Sequence, residues 1–114
     1  MSYELSLFSY TLFPDPSSNP VYEESKTLFH GEDFHILLPS REVEVTFKNI
    51  SDPRKPVVLM KGGKVVNSRA KPNLHLNHLI IEGVGEGDEG EYTVKNPENP
   101  DDVRRIMLIV RGTR

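Results

Sequence analysis

The sequence contains no cysteine and no tryptophan. Small secreted domains commonly staple themselves with disulfides, so the missing cysteines exclude that device and favour a reducing compartment. Cytoplasmic residence is therefore expected, with an extracellular domain of a larger chain as the alternative. Sustained helical periodicity is also missing. Nine prolines and eight glycines interrupt the 114 residues, and no segment keeps a 3.6-residue apolar repeat for three turns. No excess of positive charge exists: the net charge is −3, which gives no footing for nucleic acid or for an anionic lipid surface. Long apolar runs are absent as well. The longest spans residues 106–110, too short to cross a bilayer, so no membrane insertion is expected. The opening MSYELSLFSYTLF lacks a basic segment ahead of an unbroken apolar stretch, and no signal peptide is expected. Asn49-Ile50-Ser51 is a glycosylation acceptor triplet, a pattern frequent by chance and outweighed here by the missing cysteines.

What is present reads as short strands. Residues 43–47 (VEVTF) alternate apolar with polar side chains, the signature of a half-buried strand. Residues 56–60 (PVVLM) form an apolar run stopped by Lys61-Gly62-Gly63-Lys64, whose Gly-Gly pair suits a tight antiparallel turn. Residues 65–66, 74–76, 79–81, 92–94 and 106–110 complete the series, and residues 96–102 (NPENPDD) read as a turn. Strands at intervals of about ten residues predict a sandwich or barrel. PDPSSNP at residues 14–20 reads as a loop that sets off an N-terminal extension over residues 1–20. Its first part alternates loosely through Leu5, Leu7 and Tyr10, as an extra edge strand or a docking arm would.

Residues 83–94 read GVGEGDEGEYTV. From Gly85 the glycines match G-x-G-x-x-G, but Glu86, Asp88, Glu89 and Glu91 would repel a phosphate and no helical pattern follows. A calcium loop fits the charge better, although the spacing is not that of an EF-hand and no flanking helices appear. Set beside the apolar residues before it, the stretch reads L-x-I-x-x-V-x-x-x-D-x-G-x-Y from Leu79 to Tyr92. This string resembles the corner between strands E and F of immunoglobulin domains, where the tyrosine hydroxyl bonds back to upstream backbone.

The resemblance covers residues 21 to 111 and implies an all-β, immunoglobulin-like antiparallel sandwich with Greek-key connections and no disulfide, the domain proper running over residues 21–112. It is similar to the intermediate set of titin-like intracellular chains, with a variable-like set as the alternative. Asp88, Gly90 and Tyr92 take the places of the tyrosine corner. Arg69 resembles the arginine that pairs with that aspartate across the base of the sandwich. Val94 stands where the second cysteine would be. Two frames exist for the first: Leu38, with residues 31–38 as strand B, or Phe47, with residues 42–47 as strand B. If Lys61-Gly62-Gly63-Lys64 is the turn after the core tryptophan, Leu59 holds that tryptophan's place. Its distance from Phe47 then favours the second frame. That frame makes residues 35–39 a short strand A′ and predicts a hydrocarbon pin of Phe47, Leu59 and Val94 between the sheets. A buried phenylalanine contributes about 2–3 kcal/mol, comparable to the roughly 2–5 kcal/mol of a lost disulfide.

No catalytic constellation is visible, and neither a cofactor nor a metal is expected. His75 and His78, three apart in a strand, would point to opposite faces and chelate poorly. No G-x-S-x-G elbow is present. The expected function is non-catalytic protein binding, with a structural or adhesion spacer in a longer chain as the alternative and a calcium-dependent module as a third. The expected partner face comprises Val57, Lys95, Arg104 and Met107, bordered by residues 96–102. Apolar edge strands also allow self-association.

Overall fold

The computed structural model describes residues 21–73 and 75–112. The N-terminal extension of residues 1–20 lies outside them. Alternation shapes the strands. Phe34 and Ile36 turn inward from β2 (Phe34–Leu37) while His35 and Leu37 face solvent. Leu79 and Ile81 do the same from β7 (His78–Ile81), and Val45 and Phe47 from β3 (Glu44–Asn49). The remaining strands are β1 (Val21–Phe29), β4 (Asp52–Lys61), β5 (Lys64–Val65), β6 (Ala70–Asn73), β8 (Gly90–Lys95) and β9 (Val103–Arg111).

These strands form two sheets. One has six strands in the order β1-β9-β8-β3-β4-β5, and the other has three in the order β2-β7-β6. All pairings are antiparallel except β1 with β9, which runs parallel from Val21 opposite Val103 to Phe29 opposite Arg111. The core lies between the sheets. It joins Phe34, Ile36, Ala70, Leu79 and Ile81 of the smaller sheet to Val45, Phe47, Leu59, Tyr92, Val94, Ile106 and Leu108 of the larger.

The strand order corrects the frame read from spacing. The strand that pairs with β7, just before the corner, is β2. It therefore holds the strand B place, and residues 35–39 are not a strand A′. β3 lies in the other sheet between β8 and β4, which makes it strand C. The Gly62-Gly63 turn joins β4 to β5, one hairpin later than the spacing predicts. With two strands beyond β3, the larger sheet matches the variable-type arrangement.

The hydrocarbon pin is corrected for the same reason. Phe47, Leu59 and Val94 are all buried, but they sit on β3, β4 and β8 of one sheet and cannot by themselves span two. Phe47 stacks on Tyr92 within that sheet, with centroids 4.5 Å apart and planes 22° apart. The contact between sheets is made by Phe34, whose ring meets Tyr92 edge-on at 5.1 Å.

Two smaller differences follow from local physics. Residues 75–77 form a turn rather than a strand, initiated by the Asn73 side chain, whose Oδ1 accepts the amides of His75 and Leu76; Leu74 lies outside the described residues. β1 carries no strand signature in the sequence because VYEESKTLF has no clean alternation. The smaller sheet does not extend under it, so positions such as Glu24 and Lys26, directed inward by register, remain exposed.

Candidate interaction face

The corner positions the two central strands of the larger sheet. Glu86–Asp88 makes a single 3-10 turn that delivers Asp88, mostly buried, beneath the sandwich. Asp88 is a hub. Arg69 Nε donates to its Oδ1 at 2.9 Å and Nη2 to its Oδ2 at 2.7 Å, a bidentate fork. The Gly85 amide donates to Oδ2 at 2.9 Å. The Tyr92 hydroxyl donates to the Asp88 carbonyl at 2.7 Å. Burial, with the Asp88 charge behind it, pushes the Tyr92 hydroxyl pKa up; the bond to Asp88 raises that of Arg69. Gly90 follows with φ at +150°, and a Cβ there would run into the Lys48 carbonyl oxygen. Only glycine lets β8 lie against β3 at this point.

This arrangement engages two of the four carboxylates of the stretch. Asp88 is engaged by a guanidinium, and Glu89 Oε2 accepts the Val110 amide at 3.0 Å. Among the described residues, no group of three or more histidine or acidic side chains converges at this corner or elsewhere.

The corner faces the base of the sandwich, and the broad surface it supports is the outer face of the larger sheet. Residues directly opposed in a pairing share a face. Thr93 opposes Thr46 on one side and Arg105 on the other; Thr46 opposes Val58; Glu91 opposes Lys48 and Met107; Lys95 opposes Glu44. On β1, Glu23 lies beside Arg105, and their side chains pair at 3.6 Å. The centre is small and apolar or weakly polar. Thr93 is only 9% exposed although it points away from the core, while Val58 and Ile109 are each 37% exposed. Around this centre, acid opposes base at Lys48–Glu91, Glu44–Lys95 and Glu23–Arg105.

The four expected face residues do not share one surface. Lys95 and Met107 lie on this outer face. Arg104 opposes the buried Val94 and therefore points to the inner side, where it meets Asp102 at 3.2 Å. Val57 opposes the buried Phe47 and also points inward. Both reach solvent because the three-stranded sheet leaves the margins of the six-stranded one uncovered. The residues that spacing did not supply are Thr46, Val58, Thr93, Arg105 and Ile109. An irregularity in the β3–β4 register between Val45 and Thr46 lets Leu59 and Met60 both be buried while Val58 turns outward, and no sequence signal marks it.

No family model matches the chain, and no curated protein matches it. Solved structures do. The chain is similar to ZIG-8 IG1, solved as a homodimer, with a TM-score of 0.57 and 17% identity over 87% of each chain. It is similar to Drosophila Semaphorin 2a, with a TM-score of 0.58 and 13% identity over 82% of this chain and 15% of that one. It is also similar to the CD2-binding domain of CD58, with a TM-score of 0.50 and 18% identity over 78% of this chain and 54% of that one. The fold is an immunoglobulin-like β-sandwich without cysteine.

Proposed function

We propose that this domain is a non-catalytic protein-binding module, and that the outer face of its six-stranded sheet is the surface that binds. The observation carrying this is the composition of that face: a small centre of Thr46, Val58, Thr93, Met107 and Ile109 ringed by opposed acids and bases. Such a surface desolvates readily at its centre, while its alternating charges select a partner with the complementary pattern and penalise others. ZIG-8 IG1 crystallised as a homodimer, and the CD58 domain binds CD2; both support reading this domain as one that engages another protein.

The test is affinity capture with the intact chain, followed by quantitative binding to whatever protein is retained. Reversal of two face charges, Lys95→Glu with Arg105→Glu, should lower affinity by about tenfold or more and slow association. Lys71→Glu, on the opposite sheet, should leave it unchanged. Equal binding by the wild type and the double variant would refute the assignment of this face.

A further inference from the structure

The outer face of the three-stranded sheet carries a pair of side chains that no sequence neighbourhood announces. His35 projects from β2 and His78 from the adjacent β7. The register sets Leu37 opposite His78 and His35 opposite Ile80, so the two histidines are diagonal neighbours on one face, within reach of each other. Their rings lie edge-to-face with centroids 5.3 Å apart and planes 79° apart. The Nδ1 atoms approach to 3.3 Å.

Two chemistries bring imidazole nitrogens this close: a direct hydrogen bond and shared ligation of a metal ion. At 3.3 Å a direct hydrogen bond between the two Nδ1 atoms is a long one. Two nitrogens held by a tetrahedral zinc, each about 2.0–2.1 Å from the metal, stand about 3.3–3.4 Å apart. A square or octahedral pair at the same bond length would stand about 2.9 Å apart. The observed separation matches the bite of a tetrahedral site.

We propose that His35 and His78 form a two-histidine site for Zn2+, with the other two tetrahedral positions taken by water. The scaffold suits the task. Beneath the pair, Ile36 and Leu79 are fully buried, so the two strands are anchored by the core and the histidines rest on paired backbone rather than on a loop. The cation on this face, Lys71, is drawn to Glu82 at 2.9 Å rather than left to repel a metal. His75 lies in the turn before β7 and is not a ligand.

The experiment is calorimetric titration of the untagged full chain with Zn2+ alone, in buffer free of chelators. One zinc per chain should bind saturably. His35→Ala and His78→Ala should each weaken binding by about tenfold or more, whereas His75→Ala should bind as the wild type does. His78→Gln, which keeps side-chain volume and polarity, should show the same loss and so separates ligation from folding. Absence of saturable uptake, or uptake that survives removal of both His35 and His78, would overturn the proposal.

Discussion

Tyr92 brings one hydroxyl into a core otherwise made of hydrocarbon. Its ring fills the space between Phe34 and Phe47, and its oxygen must find a partner or be buried unpaired. The Asp88 carbonyl supplies one at 2.7 Å. Tyr92→Phe keeps the ring and removes the bond, so it should cost about 1 kcal/mol, read from a shift in denaturant midpoint with unchanged m. The pH dependence follows from the same burial. The folded state holds the phenol neutral with its pKa above the usual 10.0. The unfolded chain ionises first, so the stabilisation is fully present below about pH 10 and falls as pH rises toward the folded value, by up to about 1.4 kcal/mol per unit. Alkaline melts should therefore decline more steeply in the wild type than in Tyr92→Phe. Parallel curves would mean that Tyr92 is not the buried titrating group.

Among the elements, β2 supplies the aromatic contact that joins the sheets. It is four residues long, yet it carries the aromatic ring that meets Tyr92 from the opposite layer. Phe34→Ala should cost about 3–5 kcal/mol, the range for an aromatic truncated in a closed core, a large share of the roughly 5–15 kcal/mol that a domain commands. A loss below about 1 kcal/mol would remove β2 from this role. How much of the architecture could be read beforehand differs from element to element. β3, β7 and β8 were legible because one of their faces is covered and the alternation shows it. The corner was legible because its bonds, from Tyr92 to Asp88 and from Asp88 to Gly85, are local. The assignment of strands to sheets was not. It hinged on which hairpin the Gly62-Gly63 turn closes, and a turn dipeptide carries no record of its partner strands. The outer face was only half legible, since each residue's direction depends on parity across four strands and on the irregular β3–β4 register. The His35–His78 pair joins positions 43 residues apart, and only the pairing of β2 with β7 brings them together.

At the scale of the whole molecule, the sandwich is lopsided, with six strands packed against three. The smaller layer covers the middle of the larger one and leaves its flanks bare. β8 and β3 lie in that middle, each with a neighbour on both sides, and place Tyr92, Val94, Val45 and Phe47 in the core. β1 lies at a flank, bonded among the described residues to β9 alone, with Glu24 and Lys26 on its uncovered inner side and Leu28 packed against the core. A strand with one neighbour and little buried apolar area opens at a lower free energy than the molecule as a whole. Native-state hydrogen exchange should therefore divide the larger sheet. Amides of β3 and β8 should exchange only through global unfolding, with rates that follow denaturant like the equilibrium transition. Those of β1 should exchange faster, through a local opening with little dependence on denaturant. If β1 amides were protected as fully as those of β8, something beyond the described strands would have to cover that flank, and the uneven widths of the two sheets would not govern the dynamics.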